Sequence, residues 1–147
     1  MAINLRTVID KKKVITTPRQ MVDTGNIVPD AATAPVSAFT DGSITLTYHA
    51  DVTVQECAIT VTGSPIFIHW SIRIEPSDSP DGFYIRLYRD STLIYESYLS
   101  VTSHHIISGS MTDTPSAESY TYYFKVYAND HYGTGYQRSL MLLEVKR

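Results

Sequence analysis

Ten consecutive residues, Ile66 to Glu75, decide the fold class. Ile66, Ile68, Trp70, Ile72 and Ile74 alternate with Phe67, His69, Ser71, Arg73 and Glu75. In an extended chain successive side chains point to opposite faces, so one face carries five large apolar groups and the other is mixed. A helix would scatter those five groups around its circumference. The segment reads as a central strand with its apolar face in a core. Among the 147 residues are 17 Thr, 14 Ile, 11 Val, 11 Tyr, 4 Phe and 1 Trp, against 17 Leu and Ala together. Such residues suit a pleated surface. The chain is expected to be all-β, which excludes a helix bundle or an α/β nucleotide-binding fold.

The same reading extends over residues 44–147. Short β-rich runs are separated by turn clusters every ten or so residues, the spacing of a sandwich or barrel. Ile44, Leu46 and Tyr48 alternate with polar neighbours, and Cys57–Thr62 ends at Gly63-Ser64-Pro65. Phe83 to Val101 reads as a hairpin turning at Arg89-Asp90-Ser91-Thr92. Ile106–Met111, Tyr120–Ala128 and Arg138–Arg147 follow, with Asn129–Gln137 read as a loop. The expectation is a β-sandwich of about eight or nine strands.

Two features point to self-association. The last strand is apolar on both faces at Leu140-Met141-Leu142-Leu143, where the outer face of a solitary sandwich would be polar. Tyr84, Tyr88, Tyr98, Tyr123 and Tyr127 lie opposite the inferred core face. Tyrosine with few charges beside it is an interface composition. These five tyrosines, with Met141 and Leu143, are the expected oligomer interface.

The first part of the chain differs. Residues 1–22 carry Arg6, Lys11, Lys12, Lys13 and Arg19 against Asp10, a net +4. Residues 23–147 hold seven basic and fourteen acidic residues, a net −7. Ile3, Leu5, Val8, Ile9, Val14 and Ile15 are interspersed with the cations without a regular period. Residues 1–22 read as an extended basic and apolar arm that lies on another, acidic surface. Residues 23–43, with Gly25, Pro29, Pro35 and Gly42, read as a drawn-out linker. The arm contains no secretory signal, and no apolar run reaches the length of a membrane span.

Little in the chain suggests chemistry. Cys57 is the one cysteine, which excludes intrachain disulfides, and it sits in an alternating run like a small core residue. Neither a nucleophile elbow, a zinc-protease helix nor a phosphate loop is present. Glu56, Glu75, Glu96 and Glu144 read as ordinary solvent-face carboxylates. His104 and His105 are adjacent and would point apart on a strand. Asp78 and Asp81 read as turn-forming residues beside Pro80 and Gly82. The expectation is no catalysis, metal, cofactor or small-molecule substrate. The acidic body argues against nucleic acid, whose binders present a basic face on the folded domain.

Three stretches carry a resemblance: RLYRDSTLIY (Arg86–Tyr95), TDTPSAESYTYYFKVYA (Thr112–Ala128) and RSLMLLEVKR (Arg138–Arg147). Their pattern resembles jelly-roll domains of tailed-bacteriophage virion proteins, similar to the trimeric tumour-necrosis-factor and C1q type, over about residues 64–147. Ser91 and Glu118 stand where that pattern usually has glycine. The resemblance implies a homotrimer in the virion, made in the host cytoplasm. One implied role is a capsid decoration or cement protein that binds the major capsid protein, or another virion protein, through its arm. The other is a tail-fibre, head-fibre or spike component that recognises the host surface. The chain has no heptads or repeats that would form a shaft, which favours decoration.

Overall fold

The structure, a computed structural model, describes residues 35–78 and 80–145. These form nine strands: β1 (Val36–Thr40), β2 (Ile44–Leu46), β3 (Asp51–Thr60), β4 (Ile66–Pro76), β5 (Asp81–Arg89), β6 (Thr92–Val101), β7 (His105–Asp113), β8 (Ser119–Ala128) and β9 (Gly133–Glu144). They make two antiparallel sheets. Sheet A has the order β1-β9-β4-β7, with β2 also on β9; sheet B has the order β3-β8-β5-β6. Most connections cross from one sheet to the other, and β5–β6 is a hairpin within sheet B. This is a jelly-roll sandwich, as the period-two pattern and the strand count require.

The core lies between the sheets. β4 supplies Ile66, Ile68, Trp70, Ile72 and Ile74, all buried, as its alternation dictates. Sheet B answers with Phe83, Ile85, Leu87, Tyr122, Phe124 and Val126. Trp70 pairs in register with Leu140 on one side and Gly109 on the other. Its indole covers Gly109 so closely that a Cβ there would collide with the ring. Tyr95 from sheet B closes the other side, with ring centroids 5.0 Å apart.

Three boundaries differ from the sequence reading. The sheet starts inside the stretch read as linker, because β1 pairs along Arg138–Leu142 of β9. Its pairing satisfies backbone groups on the edge of β9, which the modest side chains of VSAFT do not advertise. β9 starts at Gly133, inside the stretch read as loop. Phe83 sits within 2.9 Å of a would-be Cβ at Gly133, and Ile72 equally close at Gly135, so these glycines serve close packing. β3 starts at Asp51, six residues earlier than expected.

The hairpin turn shows how the chain departs from its resemblance without strain. The left-handed residue of that turn is Asp90, at φ 50, and not Ser91. Asp90 is then fastened to Thr121 by two hydrogen bonds, one through each backbone nitrogen, of 2.8 and 2.9 Å.

Candidate functional site

The outer face of sheet B is a grid. Register places Asp51, Tyr127, Tyr84 and Tyr98 in one row across the four strands. The next row is Thr53, Lys125, Arg86 and Glu96. The third holds Glu56, Tyr123 and Tyr88. Cations thus lie between two rows of rings. The Arg86 guanidinium is 4.7 Å from the Tyr127 centroid and 5.2 Å from that of Tyr84. Lys125 Nζ is 4.5 Å from the Tyr88 centroid and 5.6 Å from that of Tyr123. Arg86 also donates to Asp51 at 2.8 Å and to Glu96 at 2.7 Å, while the Tyr88 hydroxyl donates to Asp51 at 3.2 Å. Burial and the neighbouring Asp51 charge push the Tyr88 phenol above its usual pKa.

At one end of this face the rings continue beyond the sheet. Tyr132 and Tyr48 have centroids 6.1 Å apart, Tyr48 stacks on His49 at 3.8 Å, and His49 lies 6.2 Å from Tyr127. Tyr127 is 6.0 Å from Tyr84, and Tyr84 is 5.0 Å from Tyr98. Neighbouring side chains on an extended chain diverge. Tyr48 and His49 stack because His49 adopts φ 54, a left-handed conformation uncommon outside glycine. Its amide donates to Ala128 at 2.8 Å and holds the bend in place.

The outer face of sheet A is different. β4 presents Phe67, His69, Ser71, Arg73 and Glu75. β9 sets Leu143, Met141 and Ser139 beside Phe67, His69 and Ser71. β1 adds Phe39, 68% exposed, and β7 adds Ile106, 70% exposed. The middle is bridged by a 2.8 Å hydrogen bond between Ser71 and Ser139. The described charges of β4 gather at one end, where Arg73 lies 4.7 Å from the Tyr136 ring and Glu75 pairs with His104 at 3.0 Å.

Several polar residues are structural anchors. Glu144, read from sequence as a solvent-face carboxylate, is 4% exposed and accepts from the amide and hydroxyl of Thr62 at 2.6 and 2.7 Å. This corrects the sequence reading: Glu144 falls on the inward period of β9, and Thr62, from the other sheet's connection, meets it there. Buried Asp81 accepts from the amides of Gly82 and His131 at 2.8 and 3.0 Å, tying the 129–132 loop to β5. Arg89 and the Tyr122 hydroxyl both donate to Asp113. Burial and then that bond raise the Tyr122 phenol well above its normal pKa. Burial also pushes up the Cys57 thiol, as suits a core residue more than a nucleophile.

The expected interface residues therefore divide. Tyr84, Tyr88, Tyr98, Tyr123 and Tyr127 share the outer face of sheet B, while Met141 and Leu143 lie on the opposite face of the sandwich. Phe39, Tyr48, His49 and Tyr132 were missed. Phe39 lies in the stretch read as linker and Tyr132 in one read as loop, while the alternation that sets Tyr48 with Ile44 and Leu46, and His49 opposite, stops where β2 ends at Leu46 and leaves Tyr48 41% exposed. The arm residues Ile3, Leu5, Arg6, Val8, Ile9, Lys11, Lys12, Lys13, Val14, Ile15 and Arg19 lie outside the described residues.

No protein-family model matches the chain, and no curated protein matches it in sequence. Solved structures do share its fold. The VP2 subviral particle of infectious bursal disease virus aligns at TM-score 0.57 and 9% identity, over 77% of this chain and 32% of that one. T=1 particles derived from the same virus align at TM-score 0.58 and 6% identity, over 78% and 32%. The Eiger tumour necrosis factor of S. frugiperda aligns at TM-score 0.50 and 6% identity, over 78% of this chain and 93% of that one. This chain spans about a third of the viral chains and nearly the whole of the Eiger chain. At such identities the likeness is one of fold: a jelly roll shared with viral capsid and tumour-necrosis-factor proteins.

Proposed function

We propose that the protein is a non-catalytic structural component of a virion: a homotrimeric capsid decoration protein whose N-terminal arm docks on the head shell. The observation that carries the reading is the outer face of sheet A. Phe39, Phe67, Met141 and Leu143 gather there around a serine centre, on a jelly roll of the kind found in viral capsid proteins. A face so poor in charge fits a second copy of itself better than it fits water. Three copies closing on this face would each bury on the order of 1,000 Å². In this reading Met141 and Leu143 belong to the trimer contact and the five tyrosines of sheet B do not.

The arm supplies attachment. Its +4 charge would be drawn to an acidic shell, and its six aliphatic side chains would then bury area that salt does not screen. Three arms on one trimer bind together, which raises a weak single-arm affinity by a factor of about 10² or more. The protein ties shell subunits to one another and performs no reaction. The test removes residues 1–22 and keeps the body. The full chain is expected to give three times 16.5 kDa by light scattering, and the truncated chain to fold and give three times its own, smaller mass, yet fail to bind undecorated shells. Binding equal to that of the full chain places attachment in the body and refutes the arm reading.

A further inference from the structure

We infer that the aromatic path from Tyr132 to Tyr98 is a binding site for a neutral polysaccharide. Six rings, Tyr132, Tyr48, His49, Tyr127, Tyr84 and Tyr98, follow one another with centroid steps between 3.8 and 6.2 Å. Three of them are well exposed: Tyr48 at 41%, Tyr98 at 51% and Tyr132 at 54%. A ring face is electron-rich and meets the C–H face of a sugar without a charge on either partner. Tyrosine also loses little conformational freedom on binding, since only two torsions need to be fixed.

The path is built in advance of any ligand. The loop carrying Tyr132 is fastened at three points: the Asn129 amide donates to Gly82 O, the His131 amide to Asp81, and the Ser77 amide to Tyr132 O, at 2.8, 3.0 and 2.9 Å. The left-handed bend at His49 turns two adjacent rings onto each other. At the far end the missing Cβ of Gly82 leaves room that two side chains fill. The Tyr98 hydroxyl and the Asp130 carboxylate both come within 2.5 Å of where a Cβ would stand. A hydroxyl that gives and accepts, beside a carboxylate that accepts, suits the hydroxyls of a sugar.

Charge selects among ligands. Across the face and its end, Arg86 and Lys125 stand against Asp51, Glu56, Glu96 and Asp130, a net −2. Arg86 is already held by Asp51 and Glu96, and Lys125 by two rings, so among the described residues of this face a polyanion finds repulsion and no free Lys or Arg. A cationic partner would seek the ring faces of Tyr84, Tyr127, Tyr88 and Tyr123, and Arg86 and Lys125 occupy those. The rings left over are the exposed ones, and an uncharged polyol fits them. This inference stands on sheet B and its end loops alone, and holds whether or not the protein sits on a particle.

The test is native affinity electrophoresis of the full chain in gels cast with dextran, laminarin or galactomannan, with heparin as the polyanion control. Retardation is expected in at least one neutral polymer, and it should persist at about 0.5 M salt because no ion pair is screened. The triple substitution Tyr48→Ala, Tyr98→Ala, Tyr132→Ala should weaken it at least about tenfold. Those side chains are exposed, so the melting temperature should hold; the triple Tyr→Phe variant, which keeps the rings, should retain most of the binding. Migration unchanged in all three neutral polymers overturns the inference. So does retardation by heparin alone, or a triple alanine variant that binds like the parent.

Discussion

On the outer face of sheet B, Arg86 and Lys125 each lie against rings or carboxylates of the same face. On the outer face of sheet A, Phe39 and Met141 have mostly serines, a histidine and one another for company. Both faces come from the same pleat with the same alternation, and both depart from a plain polar exterior. Their departures differ in kind. Sheet B holds its two cations against its own carboxylates and rings and turns amphipathic rings outward, which is compatible with water and with sugars. Sheet A leaves apolar area without internal partners, which favours association. A count of non-core tyrosines and aliphatics merges the two, and only the topology separates them.

The two faces share one core, and the largest expected effect comes from breaking it. Trp70 is 2% exposed and fills the space between Gly109 and Tyr95. Trp70→Ala should cost about 3–5 kcal/mol, a large part of the stability of a domain this size. Denaturant unfolding should show the loss, and both association and sugar binding should fall with it. A variant that unfolds near the parent midpoint would mean that the core does not depend on this ring.

A more selective break charges one face. Phe39→Glu with Met141→Glu puts two carboxylates on sheet A at positions whose side chains already face outward. The body should still fold, because neither side chain belongs to the buried core. Self-association should weaken on the order of 10²-fold or more, since a contact centre tolerates unpaired charge poorly. Light scattering would register a fall from trimer to monomer mass. A mass equal to the parent's would remove sheet A from the contact.

How far the sequence reached follows from where each cause lies. The strand β4 was legible because five residues of one face announce it within a window of ten. β1 was not, because Val36–Thr40 becomes a strand through the unpaired edge of β9, about a hundred residues away in the chain. Glu144 looked solvated because its partner, Thr62, lies 82 positions earlier. The five tyrosines were correctly placed off the core by their period. That they occupy one sheet while Met141 and Leu143 occupy the other depends on strands crossing between sheets, which no local window records. Tyr48 and His49 escaped for a third reason: their shared side results from one backbone angle at His49.

The smallest effect sharpens the comparison from the side of sheet B. Arg86→Met removes the guanidinium and keeps an apolar stem over Tyr84 and Tyr127. Asp51 and Glu96 lose their common cation, but both keep access to water, their side chains being 29% and 40% exposed. Solvation offsets much of the loss, so the cost should be about 1 kcal/mol, with the lost ring contact included. For a domain of this length that is a fall of roughly 2–8 °C in melting temperature. Added salt should shrink the difference between parent and variant, because it screens the ion pairs that the parent alone possesses. In a double-mutant cycle with Glu96→Gln, the coupling should be a large share of the single effect, since the two side chains are in direct contact at 2.7 Å. The oligomeric mass should not change, since Arg86 donates to Asp51 and Glu96 of its own face and the proposed contact lies on sheet A. If Arg86→Met instead dissociates the oligomer while the charged sheet A variant stays assembled, the roles of the two faces are the reverse of those argued above.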